Sequence, residues 1–330
     1  MSGFDQLRLV RRPARSSPWY FLTVPRPIQP VLVLPVYRGG LKFRRALQSL
    51  RPAEPFFRRI ILSLNSPVDS PDLTIANEYL AEAPSKAEVI HTLDELPWMA
   101  HQYFWLDYLE RSGGEPTDWV LWFAHDDQLR PRGMQALTDA NGSWALEDRT
   151  IYLGPWGMRY DPPGGLYDGP IDAPLESWTS FPLDGPLRLS VGEWIAQQLE
   201  QPTYINMSGC ITQLASFQAL RRFPVSKPGG MRIEMATAAA ANNRYVEELS
   251  EPVVITHTSP STDRTTYAAV ARKDDAHLVA WLAHYLAHHP TAVAPTARAS
   301  ATVIRRAINQ RLGRNSFVEE DWRMRTTLAS

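Results

Sequence analysis

Continuous apolar runs and helical stripes alternate along the first part of the chain. Val31-Leu-Val-Leu-Pro-Val36 is unbroken by polar residues and rich in β-branched ones, which suits a strand buried on both faces of a parallel sheet. After the loop Tyr37-Arg-Gly-Gly40, Phe43, Ala46, Leu47 and Leu50 recur at helical spacing, and Pro52 ends the segment. The unit then repeats. Arg59-Ile-Ile-Leu-Ser-Leu64 reads as strand, Asn65-Ser-Pro67 as its loop, 72–83 as helix and 87–91 as a third short strand. Residues 98–110 are apolar almost all round a helical wheel, the pattern of a deeply buried helix. Trp119-Val-Leu-Trp-Phe-Ala124 is the strongest strand signal, and it stops at His125-Asp126-Asp127. Such alternation predicts a three-layer α/β/α sandwich with a mostly parallel central sheet, whose ligands bind beyond the C-terminal strand ends. That edge holds Tyr37, Asn65 and the His-Asp-Asp.

From about residue 130 the pattern changes. Strands are expected at 151–156, 204–214 and 253–258, with helices at 215–222 and 234–243. The stretch 161–186 is rich in Pro, Gly and Asp, and a loop that long is a functional lid or a disordered segment. Leu278, Trp281, Leu282, Tyr285 and Leu286 mark one amphipathic helix and 299–312 another, so 261–330 is read as a C-terminal helical extension. At the other end, five prolines between Pro13 and Pro30 remove backbone donors, and 1–30 is read as an extended arm.

Composition narrows the classes. With 330 residues, 44% hydrophobic, the chain has enough apolar material for a substantial core. Thirty-four basic against thirty-five acidic residues leave a formal charge of -1, which gives no reason to expect nucleic acid as partner. The lone Cys210 excludes an internal disulfide, and the apolar stretch 19–24 is too short for a signal peptide or a span; a cytoplasmic protein is expected. Peripheral membrane contact and a homodimer are both left open.

The chemistry gathers at 125–127. Two adjacent carboxylates and an imidazole after a buried strand suit Mg²⁺ or Mn²⁺, which bind one or two protein carboxylates together with phosphate oxygens. The competing reading is that Asp126 and Asp127 only cap the following turn.

In the order of these features the chain resembles the inverting nucleotide-sugar glycosyltransferases of family two, which have a GT-A fold. The resemblance covers roughly residues 31–258. Val33-Leu-Pro-Val-Tyr37 looks like the family's first strand and its turn, which implies that Pro35, Val36 and Tyr37 flank the nucleotide. Ile60 to Asn65 is similar to the second strand, with Asn65 standing where the family carries aspartate. Leu121-Trp-Phe-Ala-His-Asp-Asp127 resembles the strand that ends in Asp-x-Asp. Ala124 replaces the first aspartate, and Asp126 matches the second, metal-binding one. Leu129-Arg-Pro-Arg-Gly133 resembles a turn that follows this motif. Ser208-Gly-Cys-Ile211 and the segment 215–220 look like the acceptor half's strand and helix. Gly229-Gly-Met-Arg-Ile-Glu234 is similar to the segment that bears the catalytic base, and His257 sits where some members place a histidine on the metal or diphosphate.

The resemblance therefore implies a nucleotide-sugar-binding half at 31–130 and an acceptor half at 131–260 of one GT-A domain. It implies His125 and Asp126 at the donor, and Asp126, Asp127 and His257 around Mn²⁺ or Mg²⁺. Glu234 would take the proton of a saccharide, lipid-linked or small-molecule hydroxyl acceptor as it attacks a nucleoside-diphosphate sugar. Glu234 has a second reading, as an N-terminal helix carboxylate favoured by the macrodipole. Arg38 and Arg264 are candidates to assist the leaving group. His277, His284 and His288 read as a solvated or subunit-facing stripe, and Trp156 and Trp178 as core bulk or acceptor-stacking platforms. Two rivals stand: a Rossmann enzyme, for which Tyr37-Arg-Gly-Gly40 lacks the three-glycine fingerprint, and a catalytically silent sugar- or nucleotide-binding protein on the same fold.

Overall fold

The computed structural model describes residues 7–9, 21–23, 28–82, 86–138, 143–178, 188–194, 207–218 and 243–258. Within the stretch expected as an extended arm, β1 (Leu7–Leu9) and β2 (Phe21–Thr23) pair antiparallel. The repeated strand-helix unit then follows as β3 (Val31–Val36), α1 (Gly40–Leu50), β4 (Arg59–Leu64), α2 (Pro71–Glu82), β5 (Ala87–His91), α3 (Trp98–Arg111) and β6 (Trp119–Trp122). The four strands run parallel in the spatial order β6-β3-β4-β5. β3 is buried along its whole length, as its unbroken apolar run requires.

Strand alternation divides the two faces. Leu32, Leu34 and Val36 lie in register with Ile60, Leu62 and Leu64, and all six pack with Phe43, Ala46, Leu47 and Leu50 of α1 and with Ile75, Ala76 and Tyr79 of α2. The opposite face receives α3. There His101 meets Ser63 Oγ at 2.8 Å, and Gln102 Oε1 accepts the indole N–H groups of Trp105 and Trp122. The expected three layers are thus present.

Downstream come β7 (Gln128–Leu129), α4 (Pro131–Gln135), β8 (Thr150–Leu153), β9 (Trp156–Tyr160), β10 (Glu176–Trp178), β11 (Arg188–Ser190), β12 (Cys210–Gln213), α5 (Leu214–Gln218), β13 (Tyr245–Glu248) and β14 (Val254–Thr258). The large sheet continues as β11-β13-β8-β12-β6, and β12 runs antiparallel to both neighbours. A second sheet, β10-β9-β14-β7, stands beside it. The single strand expected at 151–156 is two strands in two different sheets. Gly154-Pro155 separates them, because a proline has no N–H to continue the ladder. Of the strand expected at 204–214, residues 204–206 lie outside the described residues, and the described part runs from Cys210 to Gln213, after Gly209 turns the chain at φ 87°. The helix expected at 234–243 and the helical extension at 261–330 lie outside the described residues.

α4 holds the second sheet in place. Arg130 N–H donates to the Val253 carbonyl at 2.8 Å, and a Cβ on Gly133 would stand 2.3 Å from the Pro252 carbonyl oxygen. Glycine is required there by close backbone approach, and both obstructing residues lead directly into β14. Gly133→Ala is expected to destabilise the protein by about 1–3 kcal/mol through overpacking, measured by urea denaturation. An unchanged midpoint would show that the 252–253 backbone can withdraw from α4.

Burial pushes the His101 imidazole down from its ordinary 6.5 to about 4, and neighbouring His125 acts in the same direction. The unfolded chain therefore binds this proton more tightly than the folded one. The contribution of a neutral His101 is fully present above about pH 6.5 and is lost as pH falls through about 4. Thermal unfolding across pH 7 to 4 should show this loss, and His101→Gln should make the slope shallower. An identical slope in the variant would mean that His101 does not titrate with unfolding.

Candidate functional site

The C-terminal rim of the parallel strands is built first by a carboxylate. Asp72 of α2, fully buried, accepts from the backbone N–H groups of Gly39 at 3.0 Å and Gly40 at 2.7 Å, and from the Ser66 hydroxyl. The amides that open α1 are therefore already satisfied by an internal anion. A dinucleotide diphosphate cannot use them without displacing Asp72, which removes the Rossmann alternative on physical grounds. Asn65 then ties the neighbouring loops together. Its amide donates to the Leu96 carbonyl at 2.8 Å, and its Oδ1 accepts from Leu96 N–H and the Thr92 hydroxyl.

At the end of β6 the chain turns. Ala124 N–H donates to Ser208 Oγ at 3.0 Å, and the His125 ring lies against Gly39, where an added Cβ would come within 2.9 Å of it. Asp126 is half-buried, and its side chain makes no hydrogen bond or ion pair among the described residues. Asp127 is 3% exposed and accepts from the His257 backbone N–H at 3.4 Å. Burial, reinforced by the adjacent Asp126 charge, pushes the Asp127 carboxyl well above the usual range, and the Ser208 and His257 hydrogen bonds only partly oppose it.

Beside this turn lies a buried network centred on Asp161, the residue that follows β9. Its Oδ1 accepts from Arg45 Nη1 at 2.6 Å, from Tyr167 N–H at 2.9 Å and from His257 Nδ1 at 3.0 Å. Burial alone would raise this carboxyl, but the Arg45 and Tyr167 hydrogen bonds outweigh it and hold the group below its ordinary value. His257 is driven the other way. Burial and the Arg45 charge lower it to about 4, so the ring is neutral at pH 7. A neutral ring donates once, here to the Asp161 carboxylate 3.0 Å from Nδ1, while Nε2 stands 2.8 Å from Gln128 Oε1. Arg159 closes the far side, donating to the carbonyls of Pro170, Ile171 and Ala173 and stacking over Tyr167.

Tyr37, Asn65, His125, Asp126, Asp127 and His257 all reach the rim or the turn beside it. Pro35 and Val36 contribute only backbone there, their side chains being buried in β3. Tyr37 is 49% exposed, with the Arg38 guanidinium 5.7 Å from its ring centroid and held bidentately by Glu95. Asp127 and His257 come together, but the latter's ring nitrogens both have partners, so His257 could ligate a metal only by leaving one of them. Among the described residues no three His, Cys, Asp or Glu side chains are grouped to hold a metal ion. A cation here would therefore draw on Asp126, the carboxylate of the turn with no other engagement among the described residues, and on oxygens brought by its ligand. Glu234 and Arg264 lie outside the described residues, as do His277, His284 and His288.

Arg45, Asp161, Gln128 and Ser208 were not anticipated. Asp161 had a faint signal, as the first residue of the Pro-, Gly- and Asp-rich stretch 161–186. Arg45 had only its place one turn before Ser49 on the buried side of α1, where a charge is out of keeping with Phe43, Ala46 and Leu50.

No protein-family model matches the chain, and no curated protein matches it in sequence. Solved structures do match. The mannosyltransferase PcManGT from Pyrobaculum calidifontis, in complex with GDP-Man and Mn²⁺, aligns at TM-score 0.50 and 12% identity over 93% of this chain and 85% of its own. GalNAc-T7 with UDP, GalNAc and Mn²⁺ aligns at 0.50 and 10% over 79% of this chain and 51% of its own. Staphylococcus aureus TarS aligns at 0.44 and 15% over 82% of this chain and 45% of its own. The chain thus spans about half the length of the last two proteins. Layer order, sheet composition and the two matches at 0.50 identify the fold as a mixed α/β fold of the GT-A glycosyltransferase type.

Proposed function

We propose that the chain is a glycosyltransferase that moves a sugar from a nucleoside-diphosphate sugar to a hydroxyl acceptor with inversion, assisted by Mn²⁺ or Mg²⁺. One observation carries the reading: Asp126 lies in the turn just beyond a central parallel strand, half-buried and with no side-chain hydrogen bond among the described residues, while Ala124, its own carbonyl and Asp127 are all bonded. The two matches at 0.50 are complexes with nucleotide or nucleotide-sugar and Mn²⁺, which supports the donor class.

In this reading Asp126 is the protein ligand, and Asp127 and His257 support it. Bound divalent metal supplies neutralisation of the charge that collects on the departing diphosphate. The chain's own residues supply the rest. Tyr37 and the backbone of Pro35 and Val36 flank the nucleotide, and the Asn65 staple fixes the loop opposite them. His125, packed on Gly39, closes the floor between the two. Inversion needs a carboxylate that takes the acceptor proton during attack, and Glu234 is assigned that role.

Asp126→Asn tests the reading. The variant should lose at least about tenfold in Mn²⁺-dependent affinity for UDP or GDP by titration calorimetry, with its unfolding midpoint unchanged. Nucleotide binding that is independent of Mn²⁺ and indifferent to Asp126 would instead favour the silent binding protein.

A further inference from the structure

We infer that Arg45 is a positioning residue that aims Asp126, acting through the backbone and not through contact with ligand; this rests on the metal-assisted reading above. Two polar side chains one turn apart on α1, Arg45 and Ser49, face the segment 126–129, and both are buried. Arg45 Nη2 donates to the Asp126 carbonyl oxygen at 2.9 Å, and Ser49 Oγ accepts from Leu129 N–H at 2.9 Å. Between these two pins, His257 takes the remaining positions, donating its backbone N–H to Asp127 and meeting Gln128 with its ring.

The segment is also held by Ser208 at Asp127 and by the pairing of Gln128 and Leu129 with β14, but the side-chain anchors from α1 and the His257 contacts are joined at a single atom. Asp161 Oδ1 receives both Arg45 Nη1 and His257 Nδ1. The Arg45 fork is what makes the geometry specific. One nitrogen fixes the Asp126 peptide while its twin is held by a buried carboxylate, so the guanidinium plane has no freedom to swing. With that peptide fixed, the backbone on the C-terminal side of Asp126 is restrained, and with it the base from which its carboxylate points. A lysine keeps the charge but has one nitrogen, and cannot span the Asp126 carbonyl and Asp161 together. Groups that orient a ligand-bearing residue in this way are commonly worth about 10–100-fold in affinity or activity.

The test uses Arg45→Lys in the full chain, with Asp161→Asn as a second variant that keeps an acceptor oxygen if the first fails to fold. Hydrogen exchange of the metal-free protein should accelerate within 124–130 and stay unchanged in β3, β4 and β5. Mn²⁺-dependent UDP affinity should fall about 10–100-fold while affinity without Mn²⁺ is unchanged. Adding Arg45→Lys to Asp126→Asn should cost nothing further, since the two act through one group. Equal losses with and without Mn²⁺, additive losses in the double variant, or unaltered exchange at 124–130 would each overturn the inference. If Asp126→Asn alone leaves binding untouched, the metal-assisted reading fails, and the exchange measurement still decides whether Arg45 sets the turn.

Discussion

The candidate site depends on one oxygen atom. Asp161 Oδ1 accepts three hydrogen bonds, from a helix, a loop amide and a strand histidine, and these come from parts of the chain far apart in sequence. Arg45 and Asp161 are 5% and 4% exposed, so neither ion keeps its hydration. Burying two ions is repaid only when their geometry is good and their remaining donors and acceptors are met. Here Arg45 gives its second nitrogen to the Asp126 carbonyl, and Asp161 takes two further donors; Arg45 Nε alone is left unpaired. Such a pair adds little to stability compared with an apolar core, but removing one partner strands the other in low dielectric. It acts as a device that permits one arrangement of α1, β9 and β14 and penalises the rest.

α1 is the element through which this arrangement reaches the parallel sheet. Its first amides are closed by Asp72, its apolar stripe packs on β3 and β4, and its Arg45-Ser49 line holds the turn after β6. One helix thereby fixes both the strand-end loop at Gly39 and the turn at Asp126. Gly39 fits the same pattern. The side chains of Val36, Phe43 and His125 all crowd its position, so only a residue without Cβ lets α1 start this close to the strand ends.

Sequence reasoning reached the layers because they follow from local pattern. β3, β4 and α3 are long, strongly apolar and bounded by turn residues, and their extents are close to those expected. Where local pattern gave out, so did the reading. Residues 151–156 are apolar enough for one strand, and only the Gly154-Pro155 interruption shows that two sheets divide them. Asn65 stands at the expected rim, yet its amide is spent on Leu96 and Thr92, contacts about 30 residues away that no periodicity announces. Arg45 and Asp161 are separated by 116 positions, and neither residue alone signals the other. Non-local polar pairing is the part of a fold that hydrophobic patterning does not encode.

The neighbouring carboxylates Asp126 and Asp127 illustrate why charge, and not motif, decides what such a turn can bind. Arg45 bonds the Asp126 carbonyl and acts on Asp127, but its charge is balanced by Asp161, and His257 is neutral at pH 7. Burial, and then the neighbouring Asp126 charge, make ionisation of Asp127 costly, so the turn resists a second negative charge. An anionic diphosphate brought alongside would meet repulsion of about 4 kcal/mol for each unit pair at 4 Å in a partly screened protein environment. That would forbid tight binding of the bare anion. In the proposed reading a divalent cation would reverse the sign for both sides at once, held by Asp126 and the phosphate oxygens together, and would lower the cost of ionising Asp127. A site for free phosphate calls for an exposed cation, whereas here Arg45 is buried against Asp161 and the Asp126 carboxylate makes no hydrogen bond among the described residues, which is why the proposed reading gives the cation to the ligand.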